Sequence, residues 1–265
     1  MNKKLKRILF IGGWVVLVIV VSFLIFMAQK RQRNLVCKEL IINLETKNEV
    51  ALVHKDSLYK LITDSIGEVK GKMLGAVNLH RIEKVLGSNP YLKDIVVYKT
   101  LKGEIVINVS QRVPVVHVFT RNNENFYIDN EGVMFPTSDL FTVYVPVAMG
   151  VIYEVYEQGL NLRNPISINK YPVLYKVYIM AAYLSRDEFL GAFMDQIYIN
   201  ERGDIELIPK LGKHNVLVGN IDNMEEKFKK LKVFYDKVLK KMGWDAYETI
   251  NLKNSNQIVC TTKNL

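Results

Sequence analysis

The chain has 265 residues, of which 49% are hydrophobic and 24% are charged, and its formal net charge is +9. The excess lies at the start of the chain, because residues 1–38 carry eight basic residues and no acidic one, which leaves 28 basic and 27 acidic residues in 39–265. Since this larger part is nearly neutral, it lacks the basic surface of a nucleic-acid-binding domain, and composition excludes nucleic acid as a partner.

An uncharged run over residues 8–28 lies between two clusters of basic residues. In a helix this run would extend about 31 Å, which matches the hydrocarbon core of a bilayer. The run therefore predicts a transmembrane helix over 8–28, a cytoplasmic tail over 1–7 and a basic juxtamembrane linker over 29–36. A cleaved signal peptide is the main alternative, but its apolar core spans only about 7 to 15 residues, and this run continues through residue 27.

The orientation of the predicted helix is not set by charge, since basic residues flank it on both sides. Long domains cross the membrane whatever their charge, whereas a tail of seven residues can remain in the cytoplasm. We therefore expect the N-terminus in the cytoplasm and the large C-terminal part on the extracytoplasmic side.

Residues 37–111 show the signals of a small β-α-α-β-β unit. A strand is predicted over 40–44, followed by a helix capped by Asp56 and ended by Gly67, and then by a second helix capped by Asn78. Two strand-like runs follow at 95–99 and 105–109, separated by a turn. This order predicts two helices that cover one face of a short sheet.

The pattern changes after Pro114, which breaks the preceding strand, to short β-rich runs separated by turns. Strands are predicted at 115–119, 126–128, 133–135, 197–200, 205–208, 215–218, 248–252 and 257–262. One helix is predicted over 173–184, and a longer one begins at a capping box of Asp222 and Glu225 and reaches Met242. Asp129 is interpreted as a turn residue. The lysines of the long helix, including Lys227, are interpreted as its solvated face.

The order of these features resembles the bacterial cell-division family FtsQ, called DivIB in some bacteria. The resemblance begins in a POTRA domain and continues in the second domain of that family. It rests on residues 78–79, 82, 86, 89–92, 96–98, 101–107 and 111–114, and then on Phe126-Tyr127-Ile128-Asp129, Gly132, Val145-Pro146 and Gly150. It implies an α+β protein with a single N-terminal transmembrane helix, a small POTRA-type β-α-α-β-β domain at 37–111, and a larger mixed β-sheet domain with flanking helices at 112–265.

The resemblance also implies a function and a binding region. It implies a non-enzymatic bitopic scaffold of the divisome, located in the inner (cytoplasmic) membrane at the division septum with its C-terminal domain on the periplasmic side. In this family the C-terminal region binds FtsB, the partner of FtsL, by addition of a strand to an exposed sheet edge. The residues to which this role carries over are Lys253, Asn256, Gln257, Ile258, Val259, Cys260, Thr261 and Thr262. Some family members have aromatic side chains near these positions, where this chain has Asn254 and Thr262.

The sequence gives no sign of a catalytic, cofactor or metal site. The four histidines are dispersed, the two cysteines lie far apart, and none of the usual phosphate, dinucleotide or nucleophile motifs occurs. We therefore expect no enzymatic activity, no cofactor and no metal. Two alternatives remain open: a POTRA-containing membrane adaptor or sensor that binds extended polypeptides, and a membrane-tethered hydrolase whose catalytic groups converge from distant segments.

Overall fold

A computed structural model describes residues 12–24, 26–27, 35–46, 52–138, 142–254 and 257–262. The chain divides into two compact units, the first formed by residues 1–46 and 53–111 and the second by residues 47–52 and 112–265. The main segment of the larger unit therefore begins at Arg112, directly after the last strand of the smaller one.

Residues 12–24 and 26–27 are helical, and their apolar side chains are exposed; Trp14, for example, is 58% exposed. Within the described ranges, no helix combines the length and the hydrophobicity that crossing a bilayer requires. Residues 8–11, 25 and 28 of the predicted transmembrane helix lie outside the described residues.

The first unit follows the predicted order of elements. Its elements are β1 (Glu39–Glu45), α1 (Lys55–Ile66), a 3-10 turn (Leu74–Ala76), α2 (Leu79–Gly87), β2 (Leu92–Lys99) and β3 (Glu104–Gln111). The predicted cap of α2 is confirmed, because the Asn78 side chain accepts a hydrogen bond from the Arg81 N–H. The predicted cap of α1 is wrong: His54 is the N-cap residue, and Asp56 lies inside the first turn.

The three strands of this unit are arranged in the order β1-β3-β2, with β1 parallel and β2 antiparallel to the central β3. The apolar stripes of α1 and α2 supply one half of the core, and alternate residues of β3 supply the other. The buried residues that meet here include Leu58, Ile62, Ile82, Leu86, Ile105 and Ile107. The other face of the sheet exposes Val96 and Tyr98.

The second unit is larger and richer in strands. Its strands are β4 (Pro114–Phe119), β5 (Asn125–Asp129), β6 (Met134–Pro136), β7 (Val147–Gly150), β8 (Met194–Ile199), β9 (Ile205–Pro209), β10 (Asn215–Gly219), β11 (Tyr247–Asn251) and β12 (Val259–Thr262). Its helices are α3 (Pro165–Lys170), α4 (Pro172–Ser185), α5 (Glu188–Phe193), α6 (Met224–Phe234) and α7 (Lys240–Met242), the last two joined by a π-helical turn, Tyr235–Leu239.

The nine strands that the described residues of this unit form make one sheet in the order β12-β11-β10-β9-β8-β7-β4-β5-β6. The sheet is mixed, since three pairs of neighbours are parallel: β4 with β7, β7 with β8, and β10 with β11. Helix α4 packs against β4 and β8, and its buried residues join one continuous core with those of the strands and of α6. The predicted class, α+β with a small first domain and a larger mixed sheet, is therefore confirmed.

Two predictions about α6 are wrong. The Asp222–Glu225 capping box does not form, because Asn223 is the N-cap residue, adopts a left-handed conformation and makes no side-chain cap. The Asp222 carboxylate instead accepts a hydrogen bond from the Asn220 amide. Lys227, expected on the solvated face, is buried, and its ammonium donates hydrogen bonds of 3.0 Å to the main-chain and side-chain oxygens of Asn220. Burial lowers the pKa of this lysine.

Candidate partner-binding edge

The last strand, β12, forms one edge of the nine-stranded sheet. It pairs only with β11, in antiparallel register, so that Val259 lies opposite Asn251 and Cys260 opposite Ile250. In an antiparallel strand, alternate residues direct their N–H and C=O groups away from the paired neighbour. In the part of the chain that the structure describes, no strand accepts the outward groups of β12, which are therefore available to an added strand.

The residues of β12 alternate between the two faces of the sheet. Cys260 belongs to the row that faces the core, opposite the fully buried Ile250, and burial raises the pKa of its thiol. Val259 lies on the outer face and is 42% exposed, as is expected of a residue left at an open edge. Thr261 and Thr262 are also exposed, so β12 presents one half-buried side chain and three exposed ones.

The outer face beside β12 carries a continuous row of side chains. Registers across four strands place Val259 next to Asn251, Leu217, Glu206 and Tyr198, in that order. The last four residues line a shallow depression of about 600 Å³. A strand added to β12 would extend this row, and its side chains would meet a mixed polar and apolar surface.

Gln257 and Ile258, which precede β12, differ in environment. Gln257 is exposed, whereas Ile258 is half-buried and packs against the core of the unit. Asn256 lies outside the described residues. The predicted binding residues therefore form a short segment in which Ile258 packs inward and Gln257, Val259, Thr261 and Thr262 face solvent.

Lys253 is held within the second unit by several contacts. Its ammonium lies 2.7 Å from the carboxylate of Asp204, in the turn between β8 and β9. Its main-chain N–H donates to the Asn251 side chain at 2.9 Å, and its aliphatic stem lies over Gly219, where an added Cβ would meet Lys253 Cγ at 2.9 Å. These contacts fix the chain as it leaves β11.

Two further contacts secure the connection between β11 and β12. The buried Leu252 donates its N–H to the Leu217 carbonyl at 2.9 Å, which continues the pairing with β10 beyond the end of β11. The Lys230 ammonium donates to the Asn254 carbonyl at 3.0 Å and so ties this connection to α6. The edge strand is therefore carried by a connection that is anchored at three points. Sequence reasoning missed this anchoring because the partners lie far apart in the chain.

Potential metal ligands do not cluster among the described residues. These residues contain no group of three or more histidine, cysteine, aspartate or glutamate side chains able to hold a metal ion. Cys37 and Cys260 are both free, and Cys37 is buried with its pKa raised by that burial. Among the histidines, His214 is fully buried between two aromatic residues, and burial lowers its pKa.

Comparison with known families identifies both units. Residues 35–110 match a POTRA-like domain. Residues 113–261, more than half of the chain, match the family described as FtsQ/DivIB, C-terminal related. No curated protein matches the chain. The two matches adjoin at residues 110–113, where the structure also passes from the first unit to the second. The chain therefore belongs to the FtsQ/DivIB family, whose members are non-catalytic, division-related proteins.

Proposed function

We propose that this protein is a bitopic scaffold of the bacterial divisome that binds FtsB- and FtsL-type division proteins at the septum through the free edge of β12. A helix over residues 8–28 holds it in the cytoplasmic membrane, with residues 1–7 in the cytoplasm and residues 29–36 as the linker. A POTRA domain at 37–111 and a β-rich domain at 112–265 lie on the extracytoplasmic side. Confinement to the membrane raises the effective concentration of other membrane-bound partners.

The observation that carries this proposal is the position of β12 in the sheet. It is an edge strand of a large, well-packed sheet, and its exposed side chains offer no bulky obstacle to a second strand. Main-chain hydrogen bonds supply the affinity in strand addition, and side chains at alternate positions supply the specificity. The segment of the chain that does so is Gln257 to Thr262, together with Asn256, while Lys253 holds the connection that presents it.

The direct test is a pull-down of the full chain with the extracytoplasmic segments of FtsB- and FtsL-type proteins. A copy that ends before Gln257 should lose binding. Proline at Val259 and at Cys260 should distinguish backbone from side-chain recognition, because adjacent residues direct their N–H groups to opposite sides of the strand. One of these two prolines removes an N–H group that points away from β11 and would bond to the partner. The other removes an N–H group that bonds to β11.

Alanine at Val259 is the matched control, since it removes the exposed side chain and keeps the N–H group. If strand addition supplies the affinity, Val259→Ala should bind nearly as well as the unaltered chain, while at least one of the proline variants should not bind. Undiminished binding by the truncated copy would refute the β12 proposal and would leave the scaffold with a different contact surface.

A second candidate function concerns the first unit. Strand β2 is one of the two outer strands of the three-stranded sheet, and its Val96 and Tyr98 are 53% and 43% exposed. An open edge beside exposed apolar side chains suits an adaptor or sensor that holds extended polypeptides. Binding of several unrelated unfolded peptides, lost in Tyr98→Ser and retained in the truncated copy, would favour this function over the divisome scaffold.

A further inference from the structure

An aromatic cleft opens on the second unit where α5, the end of α6 and the residues after α7 meet. It encloses about 320 Å³, and its lining residues are Phe189, Lys232, Tyr235, Asp236, Lys240 and Trp244. Cavities of this size accommodate a small ligand or a single large side chain of a partner. The lining comes from two segments, Phe189 and residues 232–244, that are 43 residues apart in the sequence, so the cleft exists only in the folded unit.

The floor and walls of the cleft are aromatic and fixed by ring contacts. The Tyr235 ring lies 5.8 Å from the Trp244 ring and 6.2 Å from the Phe189 ring, measured between centroids. Behind them, Phe193 contacts all three rings at 5.3 to 5.5 Å. Such offset and edge-on arrangements are favourable for aromatic pairs and fix the positions of the rings without an occupant.

His214 holds two of the lining residues, Tyr235 and Trp244, by hydrogen bonds. Its Nδ1 lies 3.3 Å from the Trp244 carbonyl oxygen and its Nε2 lies 3.1 Å from the Tyr235 hydroxyl. Since a carbonyl oxygen can only accept, Nδ1 carries the proton, and the tyrosine hydroxyl donates to Nε2. Tyr235 belongs to the π-helical turn, a distortion of the helix that is frequent at functional sites.

One side of the cleft is basic. Residues 229–242, which supply one side of it, contain six lysines and one aspartate. Lys240 pairs with Asp236, and both side chains are 64% exposed, so an incoming carboxylate can replace this internal partner at little cost. Lys232 pairs with Asp187 at the other side. The cleft therefore combines an aromatic interior with one side, residues 229–242, whose formal net charge is +5.

We propose that this cleft is a second docking site, which binds an acidic segment of a partner protein by receiving one of its aromatic side chains. Aromatic anchors that fill a pocket dominate the energy of many protein interfaces, and charged rims set the rate and the selectivity of binding. The concave shape favours a protruding side chain over a bilayer surface, which offers no such protrusion. The site is independent of β12 and of the family's strand-addition surface.

The experiment uses the full chain carrying Trp14→Phe, in nanodiscs of zwitterionic lipid, so that Trp244 is the single tryptophan. The probe is a synthetic peptide with one phenylalanine between two runs of three glutamates. Titration should give a saturable change in Trp244 fluorescence that weakens with added salt. Peptides with alanine at the centre, or with lysines in place of the glutamates, should bind at least about tenfold more weakly.

Two variants locate the site, and a third serves as the matched control. Lys240→Ala removes a rim charge, and Phe189→Ala removes part of a wall; each should weaken binding about tenfold. Lys229→Ala removes an exposed lysine of α6 that does not line the cleft, and it should leave binding unchanged. Because Lys240, Phe189 and Lys229 are all substantially exposed, urea unfolding should confirm that each variant remains folded.

Four results would overturn the proposal. The first is the absence of a saturable signal, and the second is equal binding of the alanine-centred peptide. The third is equal weakening by Lys229→Ala and Lys240→Ala, which would indicate a diffuse charge effect. If anionic vesicles shift the Trp244 signal and the acidic peptide does not compete, the surface binds lipid and the proposal is wrong. The β12 proline variants should bind the peptide normally, which separates this site from the proposed edge.

Discussion

The guanidinium of Arg112 lies 2.7 Å from the carboxylate of Asp129, whose side chain is fully buried at the end of β5. The same carboxylate accepts hydrogen bonds from the N–H groups of Glu131 and Val133 and so closes the turn into β6. A buried carboxylate requires such partners, because transfer of a charge out of water is costly. Arg112 thus does more than join two units: it compensates a charge inside the second one.

Arg112→Met should therefore destabilise the second unit by about 3 kcal/mol, because it leaves the Asp129 charge buried without its main cationic partner. Urea unfolding followed by tryptophan fluorescence would measure the loss. Arg202→Met is a matched control, since Arg202 is exposed in the turn between β8 and β9 and its replacement should cost less than about 0.5 kcal/mol. Equal costs for the two variants would show that the Arg112–Asp129 pair contributes little.

Local signals in the sequence predicted the elements that depend on local chemistry. The Asn78 cap, the Gly67 helix end and the strands on either side of Gly103 follow from residue types within a few positions. The same reasoning identified the last segment of the chain as a strand. Its place at the edge of the sheet is a long-range property, which the family resemblance implied and local chemistry did not.

Features that depend on distant contacts were missed. Asp129 was interpreted as a turn residue, which is correct for its backbone partners, but its pairing with Arg112 requires knowledge of how β4 and β5 meet. Lys227 was assigned to the solvated face because a helical pattern of lysines cannot show that Asn220 offers two acceptors. The aromatic cleft was missed for the same reason, since its rings come from three separate segments.

The Lys253–Asp204 pair yields a test of how Lys253 contributes to partner binding. Both groups are partly exposed, so the loss of the pair should cost less than about 1 kcal/mol of stability. If Lys253 acts by holding the connection before β12, Asp204→Asn should weaken partner binding as much as Lys253→Met does, and the double variant should add nothing further. If Lys253 instead contacts the partner, Asp204→Asn should leave binding unchanged. Pull-downs with quantified yield would separate the two outcomes.

His214 should make the second unit sensitive to mild acid. Burial lowers the pKa of His214 below its ordinary 6.5, while the Trp244 carbonyl and Asp245 raise it by less. As the pH falls below about 6.5, the unfolded chain takes up a proton at this position before the folded chain does, so stability is lost. The stability that neutral His214 contributes is fully present above about pH 6.5 and decreases as the pH falls through the lowered pKa.

The measurement for His214 is urea unfolding at about pH 7.5 and at about pH 5. His214→Gln retains a donor for the Trp244 carbonyl and an acceptor for the Tyr235 hydroxyl, and it should lose less stability between these two values than the unaltered chain. His80→Gln is the control, because that side chain is 87% exposed and its replacement should leave the pH dependence unchanged. If His214→Gln lost as much stability in acid as the unaltered chain, the acid sensitivity would come from other groups, such as the half-buried His117.

Gly212 should be intolerant of a side chain for a reason that reaches the aromatic cleft. Its φ is +91°, and an added Cβ would lie 2.7 Å from His214 Nδ1 and 2.8 Å from the Trp244 carbonyl oxygen. Gly203 also has a positive φ, +76°, but nothing lies within 4 Å of its Cβ position. Gly203→Ala should therefore cost about 1 kcal/mol from backbone strain alone, and Gly212→Ala should cost about 1 to 3 kcal/mol more.

The same pair of glycines separates stability from the shape of the cleft. In Gly212→Ala the added methyl group must displace either the His214 ring or the Trp244 main chain, and both support the aromatic walls. Trp244 fluorescence should therefore shift in the folded Gly212→Ala protein and not in Gly203→Ala, and the acidic peptide should bind only the latter with full affinity. Unchanged Trp244 fluorescence and unchanged peptide binding in Gly212→Ala would show that the loop carrying Trp244 moves to accommodate the methyl group without altering the cleft.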